Sequence, residues 1–174
     1  MSEDIHMGLP LEIGQEVPNV DLPTLVDGKF ENLNTKEEFA GKRVILFSLP
    51  GAFTPTCSNN QLPGFEEKFA EFQEKGIDAI YCLSVNDSFV MNAWFELKGI
   101  VNVKPLADGN GEFTHKIGAE CKKSNVGFGY RSWRYAVVLN DGLVESVFIE
   151  EGFQDNIESD PYEASSPENV LSNL

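Results

Sequence analysis

Apolar and polar residues along this chain fall into blocks with two different periods. Val44-Ile45-Leu46-Phe47-Ser48-Leu49 is an almost unbroken apolar run whose length suits a strand buried on both faces. Beyond it Phe65, Phe69 and Phe72 recur four and then three residues apart, which is one face of a helix. Pro63 inside that pattern predicts a kink, with a short first turn at Cys57 and a longer helix to about Glu74, closed by Lys75-Gly76. Asp78 to Val85 is a second apolar, strand-like run. A strand–helix–strand unit of this length predicts a parallel pair with a right-handed crossover.

Residues 1–12 are expected to form a loose arm. Gln15 to Asn32 holds two strand-like pieces around Asp27-Gly28, a hairpin signal, and Asn34 caps a short helix that stops near Gly41. After the central unit, Asn86-Asp87 caps a helix through Leu97, with Phe89, Val90, Ala93, Trp94 and Leu97 as its apolar set. Val101 to Leu106 reads as a short strand and Asn110 to Gly118 as a short helix. Glu120 to Tyr130, rich in glycine and polar residues, reads as a loop. Trp133 to Leu139 and Val144 to Ile149 flank the hairpin turn Asn140-Asp141-Gly142. A terminal helix starts at Ser165-Ser166-Pro167-Glu168, with proline at its first position. This order of elements predicts a single α/β domain over residues 13–174, without internal repeats.

Composition narrows the chemistry. The 174 residues suffice for one sizeable core, and 41% hydrophobic with 24% charged residues is the balance of a soluble globular domain. A net charge of −15 sets the chain against nucleic acid and anionic membranes as partners. Met1 to His6 has neither the basic nor the apolar region of a secretory signal, and no run approaches a membrane span. Three cysteines, odd in number, make no disulfide framework and point to a reducing compartment, with cytoplasm as the default. His6 and His115 have no metal-ligand spacing with them, and Gly109-Asn110-Gly111 is a turn rather than a phosphate loop. No metal or cofactor is expected.

Cys57 lies where the first apolar strand gives way to the helix. Free backbone N–H groups and the positive end of the helix dipole gather there, and both favour a thiolate over a thiol. The acidic chain as a whole opposes a thiolate, so activation must come from groups close by.

The stretch Pro50-Gly51-Ala52-Phe53-Thr54-Pro55-Thr56-Cys57-Ser58 resembles the active-site motif of the peroxiredoxins, thiol peroxidases that reduce peroxides with one cysteine. More narrowly it is similar to the type II, or atypical five-like, subfamily, which includes bacterial hybrids with a fused glutaredoxin domain. Cys82-Leu83-Ser84-Val85-Asn86-Asp87, Arg131-Ser132-Trp133-Arg134-Tyr135 and the tail Asp160-Pro161-Tyr162-Glu163 match as well, so the resemblance runs from about Ile13 to the C-terminus. It implies a thioredoxin-like fold, a central mixed sheet flanked by helices.

It also implies roles. Cys57 is the nucleophile that attacks hydrogen peroxide or an alkyl hydroperoxide and becomes a sulfenic acid. Thr54 offers a hydroxyl to accept from peroxide and donate to the thiolate, or else caps the helix. Pro50 shields the thiolate from water, or only terminates the strand. The motif arginine falls on Arg134, there to stabilise the thiolate and orient peroxide. Arg131 is its competitor, one of the two being free to pair with surface carboxylates. Cys82 is core filling, or a resolving cysteine at a spacing some plant relatives use. Cys121, in a polar loop beside Lys122 and Lys123 that would lower its pKa, is a second resolving candidate. The C-terminal resolving cysteine of animal relatives has no counterpart, since no cysteine follows Cys121. The expected reductants are glutathione with a glutaredoxin, or thioredoxin, and the expected assembly is a homodimer using Phe53, Phe89 and Phe128. The rival reading is a peroxide-sensing, redox-regulated binding protein that uses the same cysteine without turnover.

Overall fold

The apolar run before the Cys57 motif becomes the middle strand of a five-stranded sheet. In the computed structural model, which describes residues 11–174, that strand is β3 (Arg43–Ser48). A hairpin of β1 (Asp21–Val26) and β2 (Lys29–Asn34) and a helix α1 (Thr35–Phe39) precede it. A turn at Cys57 leads into α2 (Leu62–Glu67) and α3 (Phe69–Glu74), then β4 (Ala79–Ser84), α4 (Ser88–Lys98), β5 (Lys104–Ala107) and α5 (Glu112–Lys116). The short pair β6 (Glu120–Lys122) and β7 (Tyr130–Ser132) comes next, followed by β8 (Tyr135–Asn140), β9 (Leu143–Ile149) and α6 (Pro167–Ser172). The central order is β5-β4-β3-β8-β9, parallel across β5, β4 and β3 and antiparallel across β3, β8 and β9. This mixed sheet with helices on both faces is the thioredoxin-like fold.

Side chains alternate across the strands and so build two cores. Val44, Leu46, Tyr81, Leu83, Val137 and Leu139 face Phe39 of α1, Phe113 of α5 and the β1 side. Ile45, Phe47, Ile80, Cys82, Ala136 and Val138 face α2, α3, α4 and α6. The stacked rings of Phe47 and Phe65, 4.2 Å apart, join sheet to helix at the second core. Local chemistry sets the element ends as the sequence predicts. Asn34, Asp87 and Ser166 each accept a hydrogen bond from the backbone N–H three residues on. Asp141 and Gly142, both at positive φ, make the tight β8–β9 turn.

Three expectations need correction. The arm expected over residues 1–12 lies mostly outside the described residues, and Leu11, near its end, packs in the first core. The kink expected at Pro63 is displaced. The chain widens into a π turn over Cys57–Gln61, where the Cys57 carbonyl accepts from Leu62, and the helix breaks again at Lys68 instead of running unbroken to Glu74. A wider turn relieves the contact between a proline ring and the carbonyl four residues back. On α4 the buried residues are Ser88, Met91, Trp94 and Phe95, while Phe89 and Leu97 are exposed. Two apolar stripes share this helix, and periodicity does not rank them. Glu120 to Tyr130 is no simple loop, because β6 and β7 pair antiparallel at its ends. Its glycines at 127 and 129 take positive φ in the connection.

The tail after β9 is held by one buried carboxylate. Glu150 accepts from the backbone N–H groups of Glu163, Ala164 and Ser165 and from the Ser165 hydroxyl, at 2.6–3.1 Å. Glu150→Ala removes these bonds and leaves three backbone N–H groups and a hydroxyl without this acceptor. It is expected to cost about 2–4 kcal/mol, a fall in Tm of roughly 5–15 °C in thermal melts.

Candidate active site

Cys57 is fully buried at the start of the π turn, between the active-site loop and the end of β3. The loop that delivers it is tight. Thr54 N–H and the Thr54 hydroxyl both donate to the Gly51 carbonyl, the latter at 2.7 Å, and Ser58 N–H returns to the Thr54 carbonyl at 2.9 Å. Phe53 sits at φ +67°, a left-handed conformation that costs an aromatic residue of the order of 1 kcal/mol or more. Asn86, just beyond β4, holds the loop by accepting from Ala52 N–H at 3.0 Å. Trp94 of α4 donates from Nε1 to the Ser58 hydroxyl at 2.9 Å, pinning the turn from the helix side.

Arg134 reaches this turn from just before β8. Its side chain is 2% exposed, and Nη1 lies 3.4 Å from Cys57 Sγ and 2.6 Å from Gln61 Oε1. Nη2 pairs with Asp160 Oδ1 at 2.7 Å. Burial alone would lower the guanidinium's pKa, but the charges of Cys57 and Asp160 outweigh it and leave it raised. Its Nε has no hydrogen-bond partner, a buried donor left open. Gln61 completes a chain: its Nε2 donates to Ser165, which Glu150 holds.

The sequence-predicted residues Pro50, Thr54, Cys57 and Arg134 therefore meet at one place. Two of their details change. The Thr54 hydroxyl gives its proton to Gly51 rather than to the sulfur, which leaves its lone pairs free to accept. Among the described residues Arg131 pairs with no carboxylate. It donates from Nη1 to the buried Pro50 carbonyl at 3.0 Å and from Nε to the Phe128 carbonyl at 3.2 Å, with Phe128's ring against the guanidinium. Burial lowers its pKa, and the nearby Cys57 opposes that. It packs so closely on Gly51 that a Cβ there would run into the guanidinium.

The other two cysteines differ from each other. Cys82 shares the second core with Cys57, and burial, with the neighbouring Cys57, pushes its thiol well up while Arg134 opposes. Cys121 is not in an accessible loop. It points from β6 into the first core, across the sheet from Cys57, and burial pushes its thiol up to about 11 although Lys123 pulls the other way. The strand pairing of β6 with β7, which sequence patterning misses, turns this side chain inward. Sequence reasoning also misses Gln61, Asn86, Glu150 and Asp160 as parts of the site. The spacing of Gln61 four residues after Cys57 is the one signal available, and it is weak. Among the described residues no cluster of His, Cys, Asp or Glu could hold a metal ion.

A groove of about 130 Å³ runs beside the turn, bounded by Pro50, Thr54, Phe128, Ile157, Lys123 and Asp160. The arrangement presents a buried sulfur nucleophile, a cation that stabilises its anion, and donors and acceptors for a small polar substrate.

The chain is similar to known proteins in both sequence and fold. The Redoxin family model matches residues 12–164. The chain is 60% identical over 146 residues to a peroxiredoxin of Sinorhizobium fredii, covering 84% of this chain and 78% of that one. It is 45% identical over 161 residues to the hybrid peroxiredoxin hyPrx5 of Haemophilus influenzae, covering 92% of this chain and 65% of that one. The crystal structure of Plasmodium falciparum antioxidant protein, described as a 1-Cys peroxiredoxin, superposes with a TM-score of 0.90 at 37% identity. It covers 94% of this chain and all of that one.

Replacing Arg134 by Met removes the donor nearest the sulfur. The oxidation of Cys57 by hydrogen peroxide is expected to slow by about 10²–10³-fold, the loss typical of one preorganised charge-stabilising donor. Stopped-flow fluorescence of Trp94, bonded to the same turn, reads the rate.

Proposed function

The chain belongs to the peroxiredoxins of the redoxin family, of the type II, five-like kind, and on that footing we propose a one-cysteine peroxidase cycle at Cys57, recycled by glutathione and a separate glutaredoxin. The protein is a thiol peroxidase. The observation that carries the cycle is the Arg134 guanidinium 3.4 Å from Cys57 Sγ, inside a site where the sulfur is buried.

In the proposed first step the Cys57 thiolate attacks the terminal oxygen of hydrogen peroxide or an alkyl hydroperoxide. The S–O bond forms as the O–O bond breaks, and the departing oxygen takes a proton and leaves as water or an alcohol. The Thr54 oxygen accepts from the peroxide O–H, and the guanidinium, with its open Nε, stabilises the charge on the departing oxygen. Pro50, buried and held by Arg131, keeps water from the sulfur. Cys57 ends as a sulfenic acid.

In the second step a glutathione thiolate attacks the sulfenic sulfur, giving a Cys57–glutathione disulfide and water. A further thiol, delivered through glutaredoxin, regenerates the Cys57 thiolate and releases oxidised glutathione. Three observations favour this over an internal disulfide. Cys121 lies in the opposite core. Cys82 is locked mid-strand in register with Phe47. Both thiols are held protonated by burial. The relatives add support, one named as a hybrid and another as a 1-Cys protein. A reducing cytoplasm suits three free cysteines. No helix among the described residues is long and apolar enough to cross a membrane.

The test is a set of cysteine variants. Cys57→Ser is expected to abolish peroxide consumption. The double variant Cys82→Ser/Cys121→Ser is expected to keep near-normal turnover with glutathione and glutaredoxin. Mass spectrometry of the oxidised wild type with glutathione is expected to show an adduct on Cys57. A Cys57–Cys82 disulfide with a stalled double variant would reverse the reading.

The proposed assembly is a homodimer built on the face around the active-site loop. Phe53 and Phe89 are at least half exposed, and Phe89 meets the exposed Phe30 edge-on at 5.8 Å. Phe128, half-buried under Arg131, borders them less directly than the sequence suggests. Exposed rings of this size beside a functional loop favour a self-complementary contact. Sedimentation at micromolar concentration is expected to give a dimer, and Phe89→Glu a monomer.

A further inference from the structure

Lys123 is unused by this cycle. It follows β6 and is 8% exposed, an uncommon position for a lysine. Its ammonium lies 5.8 Å from the centre of the Trp133 ring. Among the described residues it has no carboxylate within ion-pair reach and no hydrogen-bond acceptor. The stem is packed away while the ammonium keeps its charge with an aromatic face, and no carboxylate, beside it. Lys123 also lines the groove that runs beside Pro50 and Thr54.

Two carboxylates line that groove with Lys123. Asp160 is committed to Arg134, and Glu158 borders the groove without pairing with the ammonium. Much of the remaining wall is apolar, from Pro55, Val126, Phe128 and Ile157. An apolar channel with one unpaired cation, opening beside a peroxide site, fits a ligand with an apolar chain and an anionic end. Lysine offers a compact point charge rather than a bidentate fork, which suits a carboxylate at the end of a flexible chain.

We propose that Lys123 receives the carboxylate of a ligand lying in this groove, so that the site selects carboxylated organic hydroperoxides, or glutathione, by their anionic end. The inference rests on Cys57 being the peroxidatic residue. The apolar wall favours the hydroperoxy acid, and the two sources separate by the half-reaction in which the charge matters.

The experiment compares wild type, Lys123→Met and Lys123→Arg in single turnovers. In the first arm Cys57 is oxidised by hydroperoxy alkanoic acids of increasing chain length and by their methyl esters. In the second arm the sulfenic acid is reduced by glutathione and by its diester. Acid-to-ester rate ratios, taken within each protein, cancel any general effect of the substitution on folding or activity. Wild type is expected to prefer the acid by about tenfold at a best chain length, the size of one charge-assisted contact. Lys123→Met is expected to bring the ratio to about one and Lys123→Arg to restore it, with added salt weakening the preference. A Lys123-dependent ratio in the first arm assigns the carboxylate to the substrate, and in the second to glutathione. Ratios near one in wild type in both arms, or ratios indifferent to Lys123→Met, overturn the proposal. Turnover of hydrogen peroxide by wild type, lost in Cys57→Ser, reports separately on the Cys57 reading.

Discussion

A guanidinium buried beneath the protein surface sets the terms for its surroundings. Removing such a cation from water costs several kcal/mol, and the structure keeps it only by surrounding it with partners. Arg134 finds the Cys57 sulfur on one side, Asp160 on another, the Gln61 carbonyl between, and the Tyr162 ring 5.7 Å away. A thiolate offsets the buried charge and a neutral thiol does not. Sulfur and guanidinium thus face one another inside the fold, so a cation stands against Cys57 although the chain as a whole is acidic.

The same contact ties the chemistry to distant segments. Gln61 sits on the turn that begins at Cys57, so the residue that steadies Arg134 moves with the nucleophile. Through Ser165 it reaches the tail, which Glu150 holds. Asp160, a second partner of Arg134, is nearly half exposed, and the π turn that carries Cys57 is held from the helix side by Trp94.

The sheet divides the cysteines. Alternation along β4 puts Cys82 in the core that the π turn also gives Cys57, while the β6–β7 pairing sends Cys121 into the other. A dithiol route from Cys57 would therefore have to break strand packing at β4 or cross the sheet. An external thiol needs only access to the turn, and the groove beside Pro50 and Thr54 lies next to it.

Local physics alone determined much of this protein. The unbroken apolar run fixed β3, period-two and period-three-to-four patterns fixed the alternation of strands and helices, and Asn34, Asp87, Ser166 and Asp141-Gly142 set the ends of elements through short-range hydrogen bonds and backbone preference. Cys57 stands out at the boundary between strand and helix, while the roles expected of Thr54, Pro50 and Arg134 came only through family resemblance. What tertiary structure decided are matters of partner and of face. Which apolar stripe of α4 turns inward depends on the sheet beneath it. Whether Cys121 is exposed depends on a strand pairing whose register no local pattern encodes. The width of the turn at Cys57 depends on packing as well as on Pro63. Gln61, Asn86, Glu150 and Asp160 are ordinary polar residues one by one, and they acquire roles only where the fold brings segments as much as 104 residues apart around one buried charge.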